Sequence, residues 1–142
     1  MAKFVGRNIR VKVGTQELTT NIASVEVTET VDEIETTAFG QAARSRIAGL
    51  KDASVTISFH QDYDASSVNA TLGSVFGGTA SVVILAGTST TQGTAAATAP
   101  IFTIPVLVSQ QVPVNGQVGD LTTFDITLPA VGEISKSTAG TF

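Results

Sequence analysis

Apolar and polar residues alternate along most of this chain, the period-two pattern of strands that bury one face. Ile9, Val11 and Val13 alternate with Arg10 and Lys12 before Gly14 marks a turn. Ala23, Val25 and Val27 alternate with Ser24, Glu26 and Thr28. The pattern returns in Ala53, Val55, Ile57 and Phe59 against Ser54, Thr56, Ser58 and His60. Further strands are expected over residues 81–86, 102–110 and 123–128. In the last of these, Phe124, Ile126 and Leu128 oppose Thr123, Asp125 and Thr127. Pro105 has no N–H to give a neighbouring strand, which predicts an edge position or a bulge.

One helix interrupts the strands. Val68, Leu72, Val75 and Phe76 fall on one stripe, Asp64 is placed to cap the N-terminus, and Gly77 with Gly78 stops the helix. Tyr63 and Val68 have the spacing of a hydrophobic staple. Gly73 weakens the helix, so its stripe must pack on a sheet to hold it. Three segments differ from ordinary connections. Residues 32–50 form a 19-residue stretch between two strong strands, longer than the roughly 12–15 residues usual for a loop without a function. It carries Ile34, Phe39, Ile47 and Leu50, which need a partner surface. Residues 88–99 are of low complexity and read as a mobile loop. Residues 129–142 read as a tail with few anchors. No strict repeat is present, and residues 1–142 are expected to form a single, mainly β domain.

Composition changes the picture in one respect. Only 14% of residues are charged and 42% are hydrophobic, against about 25% charged in an ordinary soluble domain. The longest aliphatic run, residues 82–86, is far below the roughly 18–20 residues that cross a bilayer, so no membrane insertion is expected. Residues 1–7 contain no apolar run of a secretory leader, and none is expected. Seven of the eight basic residues precede residue 52; with six acids there, that part carries +1 and the remainder −5. Such asymmetry lets one edge of a subunit meet a different edge of its neighbour, although solvated faces account for it equally well. A net charge of −4 argues against a surface that neutralises phosphates.

Catalytic and cofactor chemistry is poorly supplied. Without cysteine there is no thiol nucleophile, disulfide or Cys-ligated metal. His60 is the single imidazole, no Gly-x-Ser-x-Gly elbow accompanies the twelve serines, and the polar face of a strand suits a surface or interface histidine. The run Asp62-Tyr63-Asp64 begins like a calcium loop, but Ser67 and Gly73 stand where that loop needs glycine and glutamate. Asp32, Glu33 and Glu35 gather carboxylates that serve a solvated turn or ion pairs with Arg44 or Arg46 across subunits more readily than acid/base catalysis. There is no P-loop and no dinucleotide fingerprint, and one Tyr with no Trp offers little for stacking on single-stranded nucleic acid. Neither enzyme activity nor a cofactor or metal is expected. Long uncharged strands do need their edges paired, and head-to-tail contact between copies would do that by closing rings that stack into a filament.

Residues 25–64 carry a specific resemblance. A strand ends in acids (Val25-Glu-Val-Thr-Glu-Thr-Val-Asp-Glu-Ile-Glu), then comes Thr36-Thr-Ala-Phe-Gly40. An Arg-rich piece (Arg44-Ser-Arg46) and Gly49-Leu-Lys-Asp52 lead into Ser54-Val-Thr-Ile-Ser-Phe59. In this order and spacing the elements resemble the tail tube (major tail) proteins of long-tailed bacteriophages. Residues 62–78 look like that family's helix, and residues 112–128 like its late turn and final strand. The chain departs from the pattern at Ala53 and over residues 88–99.

The resemblance implies a two-sheet β-sandwich or barrel flanked by one helix, with six copies in a ring. The rings stack into a hollow virion tail tube that conducts genome DNA. It implies that residues 32–50 are the assembly loop, with Asp32, Glu33, Ile34, Glu35, Phe39, Arg44, Arg46, Ile47 and Leu50 at subunit or ring interfaces. Glu26, Thr28, Thr56, Ser58, Asp125 and Thr127 are candidates to line the lumen. Implied partners are further copies, then tape measure, tail terminator and tail tip proteins, in a particle assembled in the bacterial cytoplasm. A ring of six would carry a formal −24, six times the −4 of one chain. DNA would then pass without specific binding, since a basic wall would hold it. Two other readings fit the same strands: a monomeric β-sandwich binding module of capsid-decoration or adhesin type, and the tube protein of a contractile tail or secretion system.

Overall fold

A computed structural model describes residues 9–86, 95, 99–140 and 142. Two antiparallel sheets face one another. The first has the order β2-β1-β5-β6-β8, from β1 (Arg10–Val13), β2 (Gln16–Glu17), β5 (Thr79–Leu85), β6 (Ile101–Leu107) and β8 (Ser135–Ser137). The second is β3-β4-β7, from β3 (Ile22–Glu35), β4 (Arg46–His60) and β7 (Thr123–Pro129). The helix α1 (Val68–Val75) connects the second sheet to the first.

Most of the core comes from the alternating residues expected from the sequence, but in β3 Ala23 and Val27 are exposed and Val25 is only partly buried. Val55, Ile57 and Phe59 of β4 and Phe124, Ile126 and Leu128 of β7 face Val11, Val13, Val82, Ile84, Ile104 and Val106 of the other sheet, and Val68 and Leu72 of α1 close one side. Phe59 and Phe124 stack with their ring centroids 5.3 Å apart. The mainly β sandwich with one flanking helix agrees with the expected fold class.

Four local expectations are corrected. The helix starts at Val68 and not after Asp64, because Asp62 organises the approach. The Asp62 carboxylate accepts from the Asp64 N–H (3.0 Å), the Asp62 carbonyl accepts from the Asn69 N–H (3.1 Å), and Ser66 takes a positive φ of 63°. An acid that turns the backbone two residues on leaves Asp64 no role as cap. Val68 is therefore the first helical residue and forms no staple with Tyr63, whose hydroxyl donates to the Pro113 carbonyl instead (2.5 Å). Gly77 does end the helix, with φ of 82°.

Pro105 lies on an inner strand, but its carbonyl accepts from the Val131 N–H (2.8 Å), so its nitrogen faces the side that β8 has already left. The tail is also anchored. Ala130 bridges to Val106, β8 pairs with Ile101, Phe102 and Thr103, and Phe142 packs on a small outer cluster containing Leu85 and Ile101. The cations of Arg10 and Lys12 stand 4.8 and 4.6 Å from the Phe142 ring centroid, a favourable arrangement against its π face. Apart from Ala95 and Ala99, which are buried, the low-complexity loop lies outside the described residues.

Candidate assembly surfaces

Only residues 36–45 of the expected loop 32–50 form a connection; the rest extends β3 and β4. β3 and β4 pair continuously from Ile22↔Phe59 to Glu35↔Arg46, whereas β7 accompanies β4 only as far as Ser54↔Pro129. The eight residues from Arg46 to Ala53 therefore belong to a two-stranded arm that projects about 26 Å past the third strand, at roughly 3.3 Å per residue. The register slips between Val31 and Glu33, where two residues of β4, Gly49 and Leu50, oppose Asp32. Such a bulge twists the ribbon and re-aims its side chains. Glycine relieves crowding there: a Cβ on residue 49 would lie 3.0 Å from the Asp32 Cβ and 3.2 Å from the Ile34 Cδ1, so both neighbours would have to give way slightly.

Beyond the bulge, Ile34 and Ile47 stand directly opposite each other, and both are about half exposed. The arm ends in an ordered turn. The Thr36 N–H donates to the Ser45 carbonyl (2.8 Å), the Ser45 N–H to the Thr37 hydroxyl (2.8 Å) and the Ala38 N–H to the Gln41 side-chain carbonyl (2.7 Å), with Gly40 at φ of 87°. That turn holds Phe39 fully exposed at the tip. Arg46 approaches Glu33 (3.7 Å) and Arg44 approaches Glu35 (3.9 Å) within the same hairpin. In the single chain, then, both arginines brace their own arm; as exposed pairs they add little stability. Lys51 reaches Glu133 (3.4 Å) across an open groove of about 600 Å³ at the arm's base, where Leu50 is 80% exposed beside Val131 and Ile134.

The six lumen candidates are brought together on one surface. Glu26, Thr56 and Thr127 form one row across β3, β4 and β7; Ser58 stands opposite Asp125, and Thr28 opposite Ser54. The Thr56 and Thr127 hydroxyls lie 3.2 Å apart, and the Ser58 hydroxyl donates to the Asp125 carboxylate. All lie on the face of the second sheet turned away from the core, the side opposite Val55, Ile57 and Phe59. Asp52 shares this face by alternation, and Lys51 does not. His60, at the end of the row, has its Nδ1 shielded from solvent and without a hydrogen-bond partner among the described residues. No group of three or more metal-ligating side chains gathers among the described residues. The Asp62 carboxylate is held below its usual range, first by the Asp64 N–H, then by the Ser67 hydroxyl and the Asn21 amide.

The sequence reading missed one surface. Residues 111–122 cross the end of the second sheet opposite the arm. The Gln61 side chain donates to the Val112 carbonyl (3.0 Å), the Gln61 N–H to the Thr122 carbonyl (2.9 Å), and the Asn115 side chain to the Thr123 carbonyl (2.7 Å). This framework displays Val114, Val118 and Leu121, exposed by 80, 102 and 70%. The available signal was three aliphatic residues spaced among Asn115, Gly116, Gly119 and Asp120, turn formers that exclude a buried strand.

Two antiparallel sheets around one core, one short helix and a projecting β-hairpin define the class: a β-sandwich with an arm and no enclosed pocket around reactive groups among the described residues. That fold recurs in a chain from the virion of a native gene transfer agent particle, with a TM-score of 0.72, 12% identity, and coverage of 95% of this chain and 99% of that one. It recurs also in a chain from the tail of an empty gene transfer agent particle, computed with helical refinement and C6 symmetry, with a TM-score of 0.71, 12% identity and the same coverage. At that identity the likeness is one of fold. No protein-family model matches the sequence, and no curated protein matches it.

Proposed function

We propose that this chain is a structural subunit of a phage-like tail, in which six copies form a ring and rings stack into a hollow tube for DNA. The observation that carries the proposal is the agreement of fold over 95% of this chain with a chain of a C6-symmetric tail. The projecting arm supports it independently. Phe39 at its tip and Ile34 and Ile47 on its flanks are exposed apolar side chains on a projecting two-stranded ribbon, and such surface marks a contact site. The polar face of the second sheet supplies the lumen. Glu26, Asp52 and Asp125 are its charged members beside neutral hydroxyls, so duplex DNA would meet a wall that repels it weakly and offers no array of cations. Such a tube would join tape measure, terminator and tip proteins at its ends, within a virion assembled in the bacterial cytoplasm.

The experiment is sedimentation and negative-stain microscopy of the purified chain over a rising concentration series. Rings and tubes are the expected products. A species that remains monomeric at millimolar concentration would instead fit an isolated binding module. Tubes incubated with duplex DNA at physiological salt are expected not to retain it; retention would overturn the neutral-wall reading of the lumen.

A further inference from the structure

The second sheet has two outer strands, β3 and β7, and their free edges differ. Two bonds at the ends of the β4–β7 ladder fix which backbone groups point outward. The Gln61 N–H donates to the Thr122 carbonyl and the Ala130 N–H to the Ala53 carbonyl, each at 2.9 Å. Bonded pairs alternate along an antiparallel ladder, so Thr123, Asp125, Thr127 and Pro129 turn their backbone groups away from β4. By the same alternation, Val25, Val27, Glu29 and Val31 turn theirs to the outer side of β3. Along β3 those groups have no hydrogen-bond partner among the described residues. The β7 edge is closed at both ends. The Gln110 side-chain carbonyl accepts from the Thr127 N–H (3.3 Å), the Asn115 side chain donates to the Thr123 carbonyl (2.7 Å), and Pro129 has no N–H to give.

We propose that Gln110 is an edge guard: in the free subunit its side chain holds the place on Thr127 that the outer edge of β3 from a second copy takes in the ring. This rests on the tube reading and adds to it what restrains pairing in solution. The side-chain carbonyl imitates the backbone carbonyl that an incoming strand would offer. Gln110 is exposed, so its side chain can swing out without disturbing the core, and the guard is reversible. Displacing it gives up one hydrogen bond, of the kind that shifts an equilibrium by a factor of about 2–10. Long uncharged edges left open invite uncontrolled association. Blunting β7 alone restrains both edges, because a head-to-tail junction needs two different surfaces, one β3 edge and one β7 edge.

The test compares the full chain with Gln110→Ala, which removes the acceptor, and with Gln110→Glu, which keeps one of the same reach. Light scattering over a concentration series reads the onset of ring and tube formation, and amide exchange reads Thr127 in the free subunit. In Gln110→Ala the onset concentration is expected to fall by about 2- to 10-fold and the Thr127 amide to exchange faster. Gln110→Glu is expected to show neither change. An onset that stays the same or rises in Gln110→Ala, while the unchanged chain forms tubes, would overturn the guard and leave the tube reading intact. A Thr127 amide that exchanges equally fast in both chains would do the same. If neither chain assembles, the tube reading and the guard fall together. Should Gln110→Ala lower the melting temperature, Gln110→Ser, also too short to reach Thr127, supplies the same comparison.

Discussion

At Gly49 a single missing side chain decides the course of the arm. A Cβ there would be driven against Asp32 at 3.0 Å, closer than packed carbons approach. Gly49→Val should therefore unzip the arm from the bulge outward while leaving the sandwich intact. Amide exchange over residues 33–48 should quicken by about tenfold or more, with protection unchanged in β7 and in β4 between residues 54 and 60. Ile57 behaves in the opposite way. It is fully buried between the sheets, and Ile57→Ala should cost about 2–5 kcal/mol of unfolding free energy, read by urea denaturation, through lost burial and a residual cavity. Asp62 gives the protein an acid sensitivity. Its carboxyl titrates lower in the folded chain than in the unfolded one, so its contribution is complete above the ordinary aspartate range and disappears as pH falls through the folded value. Glu17, held low chiefly by its bond from Arg10, acts in the same direction. As pH falls through and below the ordinary aspartate range, the unchanged chain should lose stability more steeply than Asp62→Asn.

Among the elements, the strands that bury one face were legible and those that bury neither were not. Residues 53–59 and 123–128 alternate cleanly because the core enforces it. Residues 29–35, Glu-Thr-Val-Asp-Glu-Ile-Glu, and 46–52, Arg-Ile-Ala-Gly-Leu-Lys-Asp, lie on an arm open to solvent on both sides, so no periodicity was imposed and the segment read as a loop. The exposed Ile34, Phe39 and Ile47 were nevertheless recognisable as residues in want of a partner. The helix start was misread because Asp64 is of a capping type, whereas the N-cap is Ser67, without a side-chain capping bond, after a turn organised by the Asp62 carboxylate. The tail misled because β8 holds by pairing with β6, a contact that local sequence does not encode. Replacing residues 34–47 by Asn-Gly should close a shorter hairpin across the Glu33↔Ala48 pair. The product should fold with nearly unchanged stability and fail to polymerise. Removing residues 135–142 should expose the β6 edge at Ile101, Phe102 and Thr103 and lower stability by on the order of 2 kcal/mol.

For the molecule as a whole, the low charge becomes intelligible once its surfaces are sorted by use. Acids and hydroxyls occupy the outward face of the second sheet; apolar side chains stand at the arm and at the Val118 loop, and a smaller cluster is covered by Phe142. In the proposed tube, stacking would cover the apolar tip of the arm and leave the hydroxyl face for the channel. Cryo-electron microscopy of assembled material tests this most directly. The account predicts six copies per ring, stacked rings, and a channel wall formed by the face carrying Glu26, Thr56 and Thr127. A chain that stays monomeric, or a tube with that face turned outward, would contradict it.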